Sequence, residues 1–242
     1  MKYKIMTYNI AAGRTYFDYA ETKKAPVDIR KSADFIKNEN PVVCGLNEVD
    51  KLTERSGGID EVAFYEKYLG MKGVFCKTID LPGGEYGNGF LTRYPVLESE
   101  IIHIPDVEGK SYEHRAILKV KVDIEGKVVT FLQTHSGLSE QEKNNCVDTL
   151  CDIIDSLDTP VILMGDFNMS PDFPALEKIR ARLVDTAPLL NNGEFYTFGT
   201  YDGVAKQHID YIFVSKGIKP LSLNVVDTKI SDHYPVIMEC EI

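Results

Sequence analysis

The chain has 242 residues, 43% of them hydrophobic and 26% charged, with a formal net charge of −10; this is the make-up of a soluble globular protein with one sizeable core. No apolar run approaches the ~18–20 residues of a membrane-spanning helix, and the acidic balance argues against a general attraction to nucleic acid, which needs clustered Lys and Arg. The five cysteines (Cys44, Cys76, Cys146, Cys151, Cys240) include no CxxC pair, so reduced, buried thiols are expected rather than a zinc cluster or disulfide framework.

In chain order, Met1–Ile5 enters an alternating strand over 2–9 with no apolar signal core, so a cytoplasmic protein is expected. Ile29, Ala33 and Ile36 keep helical spacing over 28–39; Pro41 stops that helix, and Val42–Leu46 reads as a buried strand. A second helix is expected over 59–69, ending at Gly70, and from Phe90 onward the pattern is mostly β. Leu118, Val120, Val122 and Ile124 alternate with polar residues, and Glu125-Gly126 turns the chain into a strand at 127–134. A helix at 139–157 puts Val147, Leu150, Cys151, Ile154 and Leu157 on one face, and the apolar strand Val161–Met164 follows Pro160. The last strands are expected at 208–214, roughly 218–226 and 234–242. There is no repeat, low-complexity tract or linker, and strands mixed with helices predict an α/β sandwich.

Polar residues able to bind metal recur where these strands end: Asn9, Asn47-Glu48, Thr134-His135, Gly165-Asp166-Phe167-Asn168, His208-Ile209-Asp210 and Ser231-Asp232-His233. Strand ends let a rigid scaffold converge side chains from remote parts of a chain. Glu48, Asp166 and Asp232, with the amide oxygens of Asn9 and Asn168, suit a hard cation such as magnesium or manganese; zinc would favour Cys and His. Asp166 and Asn168, two apart, project to one side if the backbone is extended. An Asp210–His233 pair would hold the ring and favour its charged form. Hard metal, carboxylates and histidine together fit attack of water on phosphorus. Taken singly, Asn9 and Glu48 read as loop or capping residues, and GDFN and SDH as turns. The joint pattern carries the functional reading.

The segments TYNI, NEV, YGNGFLTRYP, QTHSG, GDFN, HIDYIFVS and SDHYP resemble, in order, the motifs of the endonuclease/exonuclease/phosphatase superfamily, from Tyr8 to Pro235. It includes pancreatic-type deoxyribonucleases, abasic-site endonucleases, sphingomyelinases, inositol-phosphate 5-phosphatases and deadenylases. The resemblance implies a four-layer sandwich, two facing mixed sheets with helices outside, forming a single catalytic domain over 1–242. It also implies that Glu48 is the principal metal ligand, aided by Asn9 and Asp232. Asp166 would orient or deprotonate the attacking water, with Asn168 holding water or phosphate. His135 would bind phosphate, and His233, oriented by Asp210, would stabilise charge on the phosphate or leaving oxygen. Asn47-Glu48 departs from the commoner Gln-Glu, and Gln133 stands where Asn commonly precedes Thr-His. The stretch from Glu48 to Asp60 resembles a bacterial branch of the superfamily.

Arg55, Asn88 and Arg115 are candidate substrate contacts, each with an alternative reading as a surface ion pair or loop hydrogen bond. Arg14, Tyr16 and Tyr19 follow the Asn9 strand on a polar loop that would wall the cleft. The expected activity is magnesium- or manganese-dependent hydrolysis of a phosphoester, with a small molecule or lipid headgroup favoured as substrate. A DNA or RNA nuclease is the alternative, and a catalytically silent binding module a further one. Nothing in the sequence calls for an obligatory protein partner. No basic tract with interleaved aromatics tracks a polynucleotide, yet acidic nucleases exist in this superfamily, so net charge alone does not decide between substrates.

Overall fold

The structure, a computed structural model, describes residues 1–109, 113–190, 196–199 and 205–242. Its elements in chain order are β1 (Lys2–Asn9), α1 (Tyr19–Thr22), α2 (Ile29–Glu39), β2 (Val43–Lys51), α3 (Glu61–Leu69), β3 (Lys72–Leu81), β4 (Gly84–Thr92), β5 (Val96–His103), β6 (Ala116–Ile124), β7 (Lys127–His135), α4 (Glu140–Ser156), β8 (Val161–Asp166), α5 (Leu176–Arg180), β9 (Val184–Asp185), α6 (Ala187–Leu190), β10 (Phe198–Gly199), β11 (Ala205–Gln207), β12 (Asp210–Val214), β13 (Lys219–Val225) and β14 (Val236–Glu241).

Two six-stranded sheets form, in the orders β13-β14-β1-β2-β4-β3 and β5-β6-β7-β8-β12-β9. Each is mixed. One parallel pair, β1–β2 or β7–β8, is crossed by a helix, and the other pairs are antiparallel. The inner faces of both sheets meet in one apolar cluster that includes Ile5, Phe90, Val120, Phe131, Met164 and Met238. A second cluster packs α4 and α5 on the outside of one sheet, and a third packs α2 and α3 on the other. Sheets apolar on both faces must be covered on both, which yields the expected four-layer α/β sandwich.

Local chemistry sets the helix ends. Asp28 and Asp60 accept from backbone N–H groups of the first turns of α2 and α3. Ser139 and Glu142 form a reciprocal capping box on α4. Gly70 ends α3 in a left-handed conformation at φ 63°. All five cysteines are buried and unbridged.

Two departures from the sequence reading shape the sheet that carries β2. The strand read as Val42–Leu46 runs on to Lys51, because a bulge between Leu46 and Val49 lets β2 resume pairing with β4. The hairpin β3–β4 at 72–92 has no counterpart in the sequence reading, since a half-buried edge strand and a glycine-rich partner show neither clean alternation nor an apolar run.

Candidate active site

The carboxyl ends of β1, β7 and β8 deliver Asn9, His135 and Asp166 to one edge of the sandwich, and the bulge inside β2, which runs parallel to β1, brings Glu48 to the same place. Strand β12 runs the other way, so its first residue, Asp210, pairs with Asp166. The turn leading into β14 brings Asp232 and His233 to the same place.

Asn9 is the hub. Its Nδ2 lies 3.1 Å from Glu48 Oε1, 3.1 Å from Asp166 Oδ2 and 3.4 Å from His233 Nε2. Its Oδ1 accepts from Ala11 N–H at 3.0 Å, so the amide nitrogen faces the carboxylates and the oxygen faces the backbone. Glu48 sits within the β2 bulge at φ 56°, a left-handed conformation costly for a non-glycine residue and tolerated mostly where function re-aims a side chain. Burial raises the Glu48 pKa, and the nearby Asp232 raises it further, while His233, Asn9 and Arg14 oppose the shift.

His233 is fully enclosed, with Nδ1 2.9 Å from Asp210 Oδ2 and Nε2 3.5 Å from Asp166 Oδ2. Burial disfavours its charge, but Asp210 and Asp166 outweigh burial and raise its pKa. Phe198 packs against the ring, with centroids 4.8 Å apart. Asp166 is shifted upward by burial first and by Asp210 second. His135, with Nε2 3.6 Å from Asp166 Oδ2, is held well below the usual histidine range by burial and then by the Arg115 and His233 charges. Neighbouring titratable groups pushed in opposite directions are a hallmark of acid–base sites.

Asn168 does not continue an extended backbone beyond Asp166. It adopts φ 52°, its N–H donates to Asp166 Oδ1 at 2.9 Å, and its Nδ2 donates to Ser136 O at 3.0 Å. The short Asn side chain tolerates this left-handed turn, which folds the residue back over the carboxylate.

The candidate substrate contacts separate. Arg55 spends its fork on the buried Asp50, through Nε to Oδ2 and Nη2 to Oδ1, both 2.7 Å, and lies over Tyr86 at the cleft wall. Asn88 is buried within β4 and accepts from Asn47 Nδ2 at 2.9 Å. Arg115 lines the cleft beside His135, with one nitrogen on Glu113 at 2.7 Å. Arg14 lines the cleft, whereas Tyr16 and Tyr19 pack on each other and are not among its walls.

In the sequence, Asn47 reads only as a variant of the preceding motif position. In the fold, its four hydrogen bonds join both sheets directly beneath the site. Nδ2 donates to Asn88 Oδ1 and Thr134 O, and Oδ1 accepts from Gln133 Nε2 and Asp166 N. The signal lies in the polar Asn47 and Gln133 closing otherwise apolar strands.

The resulting cleft, about 490 Å³, is lined on its chemical side by Arg14, Glu48, His135, Asp166, Asp232 and His233. Two groupings are candidates for a cation. Asp166, Asp210 and His233 offer ligand atoms within 4.8 Å of one another, but Asp210 and His233 already satisfy each other as an ion pair. Glu48 and Asp232 both line the cleft and Asp232 raises the Glu48 pKa, so this oxygen-rich, cysteine-free corner offers the donors that a hard divalent cation prefers.

Residues 6–233 match the sequence model of the endonuclease/exonuclease/phosphatase family. The chain belongs to that family. The Escherichia coli K12 protein YbhP is 27% identical over 175 residues, which are 69% of this chain and 66% of YbhP, so the match spans just under two thirds of that relative. The endonuclease/exonuclease/phosphatase of Beutenbergia cavernae superposes with a TM-score of 0.80 at 23% identity, covering 100% of this chain and 72% of that one. The mannosyl-6-phosphatase Bt3783 of Bacteroides thetaiotaomicron gives 0.76 at 16% identity, covering 99% of this chain and 100% of its own. At these identities the family fold is what is shared. Among the described residues, no helix is long and apolar enough to cross a membrane.

Proposed function

We propose that the chain is a divalent-metal-dependent phosphoester hydrolase acting on small phosphoesters. One observation carries the reading: Asn9 Nδ2 donates to Glu48 Oε1 and Asp166 Oδ2, both at 3.1 Å, and Asp166 Oδ2 lies 3.5 Å from His233 Nε2, joining an acidic corner to an acid–base pair inside one cleft. Glu48 and Asp232 would hold magnesium or manganese, which supplies Lewis-acid polarisation of the phosphoryl group. Asp166, its pKa raised by burial and Asp210, receives the proton of the attacking water, and Asn168 keeps that carboxylate oriented. His233, kept cationic by Asp210 and Asp166, stabilises charge on the phosphoryl or leaving oxygen. His135, held neutral, offers a hydrogen bond to phosphate.

A cleft of about 490 Å³ matches a small ligand. A net charge of −10 leaves little attraction for a long polyanion. Retention of the whole set of acids and histidines argues against a silent binding module.

The experiment is hydrolysis of a panel of small phosphoesters and plasmid DNA, with magnesium, manganese or chelator. Metal-dependent turnover of small esters at least as efficient as DNA nicking supports the reading. Turnover unaffected by chelator, or efficient nicking with no small-ester turnover, overturns it.

A further inference from the structure

Between Asn9 and Arg14 the backbone turns left-handed three times in succession, at Ala11 (φ 49°), Ala12 (φ 53°) and Gly13 (φ 66°). All three residues are buried. Left-handed backbone is unfavourable at alanine and persists only when the surroundings enforce it. Here they do. Ala11 N–H is held by Asn9 Oδ1, Gly13 O accepts from Asp28 N–H, and Arg14 pairs with Val27 in an isolated bridge. The turn thereby anchors Arg14 at the cleft beside Glu48.

Arg14 stands apart from the other arginines. Arg55, Arg93, Arg115, Arg180 and Arg182 hydrogen-bond or pair through their side chains, and Arg30 is exposed. Arg14 is half-buried and, among the described residues, makes no side-chain hydrogen bond or salt bridge. Glu48 feels its field, but the guanidinium fork itself is unspent. On the opposite sheet, Arg115 enters the same cleft next to His135, its side chain only 12% exposed, and its Nε is buried with no hydrogen-bond partner among the described residues. Two arginines from different sheets thus bring unused donors to one small cleft.

We infer that Arg14 and Arg115 grip non-bridging phosphoryl oxygens from opposite sides and set a preference for phosphate monoesters over diesters. The inference rests on the phosphoester-hydrolase reading and narrows its substrate class. A monoester presents three non-bridging oxygens, one for the Glu48–Asp232 corner and one for each arginine. A diester presents two, and its second ester oxygen would put a carbon substituent, without charge, against a guanidinium. Charge-assisted Arg–phosphate bonds are directional, so this difference becomes selectivity.

The test compares p-nitrophenyl phosphate with bis-p-nitrophenyl phosphate for the wild type, Arg14→Ala and Arg14→Lys. It is paired with calorimetric titration of inorganic phosphate in the presence of magnesium. The wild type should favour the monoester, and Arg14→Ala should lose about tenfold or more in monoester kcat/KM while losing about threefold or less on the diester. Arg14→Lys, which keeps the charge without the fork, should fall between, and it serves if the alanine variant does not fold. Phosphate affinity should fall about tenfold in Arg14→Ala while magnesium affinity stays equal or rises, since a positive neighbour of Glu48 is gone. A diester preference in the wild type, equal losses on both esters, or unchanged phosphate affinity would overturn the inference. Absence of any hydrolysis by the wild type would instead overturn the hydrolase reading, with the phosphate titration still deciding the role of Arg14.

Discussion

Gly45 and Gln133 claim the same space between the two sheets: a Cβ on Gly45 would lie 2.0 Å from Gln133 Oε1 and 2.8 Å from Met164 Cε. Gln133 is the residue that stands where Asn is common before Thr-His, one methylene longer. The absence of a side chain on Gly45 makes room for that length, and Gln133 Nε2 then reaches Asn47 Oδ1 at 3.0 Å. Gly45→Ala should therefore destabilise by roughly 1–3 kcal/mol through overpacking. In a Gln133→Ala background the same change should cost at least ~1 kcal/mol less, a coupling measurable by a double-mutant cycle in denaturant. Additive effects would show that the two residues do not compete.

Asn47 lies beneath the site with every amide hydrogen and lone pair engaged across both sheets. Asn47→Ala strands Asp166 N–H and Thr134 O in the interior, so it should cost about 2–4 kcal/mol. It should also lower turnover, because the Asp166 backbone loses its anchor. Chemical denaturation and kinetics on the same preparation measure both. Wild-type stability would remove Asn47 from this role.

Much of the fold is legible in the sequence because its signals are local. The alternation at 118–124, the helical spacing at 29–36 and the polar residues closing apolar strands all reappear in the structure. What stays hidden depends on partners distant in the chain. The β2 bulge that aims Glu48 is set by pairing with β4, and no residue in NEV announces it. Arg55 is drawn from the phosphate role by Asp50, whose burial is a tertiary outcome. Arg14 reads as loop polarity until the left-handed turn fixes its direction.

Asp210 positions His233 and sustains its charge at a 2.9 Å contact. Asp210→Asn keeps the shape but removes the charge, so the raised His233 pKa should fall toward the ordinary histidine value. Turnover should drop by roughly 10²-fold or more, the scale for a positioned proton-transfer group, and the alkaline limb of the pH–rate profile should move to lower pH. His233→Ala should lose about as much and have no such limb to move. An Asp210→Asn profile superimposable on the wild type would separate the two residues.

Glu48→Gln removes the charge of the proposed ligand while keeping its hydrogen bond from Asn9. Relief of the repulsion between Glu48 and Asp232 should leave the metal-free protein as stable as the wild type or slightly more so. The thermal stabilisation that magnesium or manganese gives the wild type should be largely lost, since a cation that binds only the folded state stabilises it in proportion to occupancy. Scanning calorimetry with and without metal reads both effects. Equal metal-induced changes in Tm for the two proteins would place the cation elsewhere.

Glu61 introduces a pH dependence that owes nothing to phosphate chemistry. It opens α3, has no exposed surface, accepts from Asp50 N–H at 2.8 Å through Oε2, and leaves Oε1 without a hydrogen-bond partner among the described residues. Burial first, and then the Asp50 charge, push its pKa up to about 8 from 4.5, against the backbone hydrogen bond and Arg55. Between those values the folded protein keeps a proton that the unfolded chain has released, so stability falls as pH rises. The contribution is complete below the unfolded value of 4.5 and is lost as pH passes the folded value of about 8. A tenfold difference in proton affinity between the folded and unfolded chains corresponds to about 1.4 kcal/mol, and the wild type should lose at least that much from this group between about pH 5 and pH 9. Glu61→Gln mimics the neutral acid and still accepts from Asp50 N–H, so it should flatten this part of the curve and exceed the wild type in stability at the alkaline end. Urea denaturation of both proteins across that range is the measurement. Parallel curves would mean that Glu61 is already ionised in the native state, with Arg55 and the Asp50 amide sufficient to hold it so.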